Sequence, residues 1–310
     1  MFKYILKRLA MGVVVVFVIA TITFWLSRAL PGGPFDRDKP LNPIIIENLN
    51  KKYNLDRPVM EQYIDYMVDV AQFDFGPSYF YENETVNDYI DRCFPVSLVL
   101  GIGAMVVAIV LGIPAGIISA LKQNGWQDNL IKILTTILVS LPNFVIASAL
   151  MYFIGYKLRL LPVALWGTPK QAIMPTLALA AYPLSYITKM MKSSMLEVMN
   201  SDYIRTAKAK GASQFLIVYK HALKNAVLPV ITVIGPMFAG IITGSLVVEK
   251  LFAIPGLGEQ FTKSIFNRDY PMIMGLTIFY SILLIVATLA VDVVYALVDP
   301  RIKLGKESKE

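Results

Sequence analysis

Residues 95–121 read PVSLVLGIGAMVVAIVLGIPAGIISAL, 27 residues with no Asp, Glu, Lys or Arg. About 20 such residues cross the ~30 Å hydrocarbon core of a bilayer as a helix. Inside the stretch Ala104, Ala108, Gly112, Gly116 and Ala120 recur every four residues. A stripe of small residues lets helix backbones approach closely, which is how helices associate in lipid. Five further charge-free runs flank it, at roughly 9–27, 133–156, 171–188, 226–248 and 270–291, the last continuing through Asp292 to Val298. Soluble proteins rarely carry one such run. The expected class is an all-α membrane protein with about six transmembrane helices.

Composition agrees. Of the 310 residues, 56% are hydrophobic and 16% charged, against roughly half and a quarter in a soluble domain. The net charge of +7 could suggest a nucleic-acid partner, but its distribution points to a membrane. Lys3, Lys7 and Arg8 precede the first span. Lys189, Lys192, Arg205, Lys208, Lys210, Lys220 and Lys224 lie between spans four and five, and Arg301, Lys303, Lys306 and Lys309 follow the last. With six spans these segments share one side, which the positive-inside rule assigns to the cytoplasm. Residues 31–94 hold twelve acidic and six basic residues on the other side. Both termini are therefore expected to be cytoplasmic. The outer loops at 157–171 and 249–269 fit less well, with three basic residues each.

The chain divides into an N-terminus and first span (1–30), an extracytoplasmic insert (31–94), a transmembrane core (95–298) and a cytoplasmic tail (299–310). The first apolar run is longer than a signal-peptide core, and Arg28-Ala29-Leu30-Pro31 offers no small-x-small cleavage site, so the span reads as retained. In the insert, Pro43 and Pro58 suit the starts of two helices, near 43–53 and 58–72. Val59, Tyr63, Tyr66, Met67 and Val70 fall on one face of the second, so the insert reads as a small cap on the outer membrane face. Asn83-Glu84-Thr85 matches a glycosylation sequon, a triplet that also arises by chance. Cys93 is the only cysteine; it admits no internal disulfide and reads as a small apolar residue at an interface.

Catalytic signatures are missing. His221 is the only histidine and falls in a polar loop, and no G-x-x-x-x-G-K-[ST] phosphate loop exists. Neither a metal cluster of histidines nor ATP binding of that common kind is available. An ion-coupled carrier places ionisable groups near the midplane; here only Asp292 interrupts a span, near its cytoplasmic end, where it reads as a helix-packing residue. The chain resembles a passage without an engine. Pro114, Pro142, Pro175, Pro183 and Pro236, in or near spans, are open to two readings, packing alone or a lined passage whose helices rearrange.

The inner loop 192–225 carries Asn200-Ser201-Asp202-Tyr203-Ile204-Arg205-Thr206-Ala207-Lys208-Ala209-Lys210-Gly211-Ala212-Ser213. Ser201 or Asp202 can cap a helix start, and Gly211 can take the left-handed conformation that ends one. A second helical stretch from about Gln214 leads to Leu228-Pro229 in span five. Two readings stand: a lever joined stiffly to two spans, or a basic loop facing anionic lipid.

This segment resembles the signature loop of ATP-binding-cassette importer permeases, E-A-A-x-x-x-G followed by Leu-Pro. Aligned on Gly211, the first three positions are Arg205, Thr206 and Ala207, so the leading Glu and first Ala are absent and the Leu-Pro lies further on. That departure is similar to the peptide and nickel branch, with its run D-Y-[IV]-R-T-A-[KR]-A-K-G, which Asp202–Gly211 matches throughout. Other pieces resemble the same branch: Leu30-Pro31-Gly32-Gly33-Pro34-Phe35, Phe73-Asp74-Phe75-Gly76-Pro77-Ser78, Ile254-Pro255-Gly256-Leu257-Gly258, Asn267-Arg268-Asp269-Tyr270-Pro271 and Val298-Asp299-Pro300-Arg301. They span nearly the whole chain and are most similar to the B subunits of oligopeptide permeases.

The resemblance implies a type I importer permease in a bacterial plasma membrane, pairing with a second permease. Two cytosolic ATPase subunits would hold ATP and Mg, which this chain does not bind, and an extracellular binding protein would deliver peptide. Dipeptide or nickel import is the alternative within the family, and a stand-alone secondary transporter the alternative outside it. Coupling to the ATPase is implied for Ser201, Asp202, Tyr203, Arg205, Thr206, Ala207, Lys208, Gly211 and Ser213. Arg205 would offer a rigid five-donor fork. Ser140, Asn143, Thr232, Thr243 and Ser245 are candidates to line the passage. Serine and threonine also satisfy their own helix carbonyls, so a purely structural role is the alternative for each. No metal ligand and no catalytic residue is expected.

Overall fold

The computed structural model describes residues 2–30, 33–35, 42–242 and 246–298. Among these the fold is helical throughout, its only extended pairing being an isolated bridge between Pro77 and Thr85. The first span is α1 (Phe2–Ala29). The insert contributes α2 (Pro43–Lys52) and α3 (Val59–Ala71). Asn42 caps α2 by accepting from the Ile44 amide at 3.0 Å, just where Pro43 has no N–H to offer. In α3 the face carrying Tyr63 and Tyr66 packs on Phe24 near the end of α1, with ring centroids 5.3 and 5.5 Å apart, while Val59 stays exposed.

Then comes α4 (Val86–Leu121). Thr85 and Asp88 form a capping box at its start, so the threonine of the sequon closes a helix terminus. Next are α5 (Trp126–Ser140) and α6 (Asn143–Leu150), the latter continuing as a π-helical stretch over Met151–Lys157. The run 133–156 is thus not one straight span: α5 and α6 meet at 107°. Leu141, ahead of Pro142, is extended at φ −91° and ψ 131°. A proline ring clashes with a helical preceding residue and breaks the hydrogen-bond ladder.

The core is α4 against α7 (Pro169–Met199), the most extensive helix contact in the fold. The small-residue stripe makes it possible. A Cβ on Gly116 would lie 2.6 Å from Met191 Cβ and 2.7 Å from the Thr188 carbonyl oxygen, and one on Gly112 would lie 3.0 Å from Ile187. Among the described residues three helices are long and apolar enough to cross a membrane, α1, α4 and the last, and up to five spans result if each bent pair counts as one. The remaining run, 171–188, lies in α7, which falls short of that apolar standard and packs against α4, α5, α6 and α11. The buried face of such a helix can carry Ser185 and Thr188, whose hydroxyls donate to the Thr135 and Leu184 carbonyls.

Beyond α7 the chain forms α8 (Asp202–Ala209), α9 (Gln214–Leu216), a π-helical turn over Ile217–Ala222 and α10 (Leu223–Ala226). Three further segments are α11 (Leu228–Ile242), α12 (Leu246–Leu251) and α13 (Leu257–Phe266), and the last is α14 (Tyr270–Val298). Gly235 of α11 faces α14, where a Cβ on it would meet Val291 at 2.6 Å. Arg8 and Asp292 form an ion pair at 2.9 Å that ties α1 to α14, in keeping with the helix-packing reading of Asp292.

Two of the quoted motifs meet beside the insert. Asp269, fully buried at the start of α14, accepts from the Ser78 hydroxyl and, at 3.0 Å, from the Tyr79 amide. Phe75 lies against the backbone of α14, where a Cβ on Gly275 would come within 2.7 Å of its Cβ. Gly76 turns the chain at φ +81°, a conformation glycine takes at no steric penalty. A third motif closes α13: Glu249 accepts from Ser97 at 2.9 Å and from the Glu259 amide at 3.1 Å. A Cβ on Gly256 would lie 2.4 Å from that carboxylate, so the approach requires glycine there.

Burial pushes the Asp269 carboxyl above the usual carboxylate range, with the bonds from Ser78 and the Tyr79 amide opposing it. A folded-state value above the unfolded one means that the folded protein binds the proton more tightly. The junction should therefore gain stability as pH falls from neutral toward the ordinary carboxylate range. Thermal melting of the purified protein should rise over that interval, and Asp269→Asn should flatten the rise.

Candidate functional site

The loop segment forms a docked helix. Ile204 is fully buried in one apolar cluster with Met191 and Met195 of α7, Ile217 and Ala222 of the π-helical turn, and Ala226 of α10. Ala207 and Ala212 pack against the same cluster. Burying an isoleucine stabilises by about 1.5–3 kcal/mol, so α8 is held to the ends of two membrane helices. Its other face is open: the Asp202 and Arg205 side chains are 97% and 72% exposed and 3.5 Å apart. Tyr203, Thr206, Lys208 and Ser213 are exposed too.

The termination follows the chemistry of its glycine. Gly211 sits at φ +79°, its amide donating to Lys208 O at 2.9 Å while the Ala212 amide donates to Ala207 O at 3.2 Å. Those two bonds are a Schellman motif. Ser213 then caps α9, accepting from the Leu216 amide at 3.4 Å. The start of α8 departs from expectation. Ser201 does not cap it, because its hydroxyl donates back to Val198 O at 2.6 Å and holds the end of α7 instead. Asn225 donates to the Tyr203 hydroxyl at 2.8 Å, bridging α8 and α10.

Of the passage candidates, Asn143 and Thr232 share a cavity of about 740 Å³ between α6, α7, α11 and α12. Ser140 is exposed and lies outside it. Thr243 and Ser245 fall outside the described residues. Thr232 donates to Pro229 O at 2.7 Å, the structural alternative for a helical threonine. Tyr182, Tyr186 and Met237 also line the cavity; an eye for small polar residues passes over them, although Tyr182 and Tyr186 stand one helical turn apart.

A second feature is only partly signalled in the sequence. Asp128 in the first turn of α5 is fully buried. It accepts from Lys132 at 2.8 Å, from the Asn124 amide at 2.9 Å, and from Lys192 of α7 and Ser119 of α4. Three helices are thereby clamped at the end of the bundle that bears α8. The i,i+4 pair with Lys132 is visible in the sequence; Lys192, 64 residues away, is not.

Comparison with known proteins places this geometry. Residues 112–304 match the model of the binding-protein-dependent transport system inner membrane component, and residues 1–101 match the N-terminal model of such membrane components. The dipeptide transport system permease protein of Bacillus subtilis is 47% identical over 99% of this chain and 100% of its own length. The oligopeptide transport system permease protein of Haemophilus influenzae is 41% identical over 98% of this chain and 100% of its own. Among solved structures, an inward-facing methionine ABC transporter shares the fold, with a TM-score of 0.57, 17% identity, and coverage of 68% of this chain and 96% of that one. The chain belongs to the family of binding-protein-dependent transport system inner membrane components, as a multi-pass permease subunit.

Proposed function

We propose that this chain is one of two permease subunits of an ATP-driven oligopeptide importer in a bacterial plasma membrane, with both termini in the cytoplasm. Two cytosolic ATPase subunits hold ATP and Mg, and an extracytoplasmic peptide-binding protein delivers the substrate beside the insert. The observation that carries the reading is α8: one face fixed to the membrane core through Ile204, the other presenting Asp202, Arg205 and Lys208 to a partner. Closure of the ATPases moves α8, α8 moves α7 and α10 with it, and the cavity between α7 and α11 changes its access. Ser201 and Ser213 brace the two ends of this lever, at Val198 and at α9.

Proteoliposomes holding both permeases and both ATPases, with the binding protein added outside, should accumulate labelled peptide only with ATP inside. ATP-dependent uptake that persists without this chain would refute the assignment. Dipeptide import is the second reading, favoured by the 47% identity to a dipeptide permease. Competition by peptides of increasing length separates the two, because an oligopeptide system is inhibited by tetra- and pentapeptides and a dipeptide system is not.

A further inference from the structure

The cavity between α7 and α11 has an unusual lining for a membrane protein. Tyr182 and Tyr186 stand four residues apart in α7, within the charge-free run 171–188. Their rings lie 6.2 Å apart. No hydrogen bond occupies either hydroxyl or the Asn143 amide among the described residues, and all three groups line the same cavity. Polar groups without partners are costly against hydrocarbon. This face therefore calls for water or a polar occupant. No Asp, Glu, Lys, Arg or His lines it among the described residues; apart from Thr232, whose hydroxyl donates to Pro229 O, its remaining walls are apolar, including Leu179, Met237 and Ile241.

We propose that this cavity is a charge-neutral binding step for peptides in transit, in which Asn143 and the tyrosine hydroxyls hydrogen-bond the peptide backbone while the Tyr182 and Tyr186 rings hold its aromatic and apolar side chains. The proposal rests on the peptide-import reading and adds what the passage recognises. The chemistry fits the occupant. Every peptide bond presents a donor and an acceptor, which an amide and two phenols match without regard to sequence. Rings one helical turn apart on one face offer successive edges and faces to side chains passing along α7. With no fixed charge on this lining, acidic and basic peptides meet the same walls. Charge selection then has to arise before the passage, and a single charge placed here would impose one. A cavity of about 740 Å³ lies within the ~300–1,000 Å³ range of small-ligand sites.

The test uses the complete complex in proteoliposomes and compares uptake of tripeptides differing only in the central residue, Phe against Gly and Lys against Glu. Joint replacement Tyr182→Ala and Tyr186→Ala should lower the Phe-to-Gly uptake ratio roughly two- to tenfold, the worth of an aromatic contact or two. Joint replacement by Phe, which keeps the rings and guards against misfolding, should preserve that ratio. Asn143→Asp should shift the Lys-to-Glu ratio about fivefold or more toward Lys, as expected for a charge away from bulk water. Uptake by all variants with both ratios unmoved would overturn the proposal. Failure of the unaltered complex to take up any peptide would instead overturn the import reading, and this proposal with it.

Discussion

Gly211→Val should uncouple this permease: ATP-dependent uptake falls more than tenfold while the protein still inserts and purifies. The position lies at φ +79°, a left-handed conformation that penalises L side chains by about 1–2 kcal/mol and β-branched ones more. A Cβ there meets no atom within 4 Å, so the penalty is backbone strain alone. Relief of that strain breaks the bonds from the Gly211 and Ala212 amides to Lys208 O and Ala207 O, frays the last turn of α8, and loosens Ala207 and Ala212 from the core that Ile204 anchors. A lever that flexes transmits little force. Asn tolerates the left-handed region, so Gly211→Asn should keep most of the activity that valine loses. Equal loss with Asn would move the effect from the backbone to the surface presented to the ATPase.

Removal of Asp128 should carry the largest cost in stability. Loss of one partner from a buried ion pair costs about 3–5 kcal/mol, because the other charge stays desolvated. The Lys192 side chain is only 17% exposed, and Asp128→Ala leaves it facing the space its partner filled. Lys132, 46% exposed, can turn to water and loses less. Lys192→Met on the Asp128→Ala background should recover part of the loss, and the double-mutant cycle should yield a coupling of about 0.5–3 kcal/mol. Additive single-mutant losses would mean that Asp128 and Lys192 do not act together.

Much of the architecture is legible in the sequence because membrane crossing demands an unbroken apolar run, and such runs need no neighbour to be recognised. The sharp bend of the third span could be read at Leu141-Pro142 for the same local reason. The order of helix, glycine and second helix in the loop was likewise written in Asp202–Gly211. What escaped local reading depends on distant partners. Nothing near Lys192 announces Asp128, and nothing near Ser78 announces Asp269, 191 residues away. Ser201 shows the limit at short range, since a hydroxyl able to cap α8 found the Val198 carbonyl first. Tyr182 and Tyr186 escaped because tyrosine in a membrane helix is ordinarily an interfacial residue, and only their shared place on the wall of one cavity marks them otherwise.

The central claim is that force from partner ATPases enters at the exposed face of α8. Cys93 is buried and is the only cysteine, so Cys93→Ala followed by Arg205→Cys leaves a single thiol on that face. In the assembled complex a short bifunctional reagent should join this thiol to an ATPase subunit, with a yield that changes when ATP is added, and the link should stop uptake. A thiol at position 205 that never captures an ATPase, or a captured complex that transports at the unlinked rate, would contradict the account.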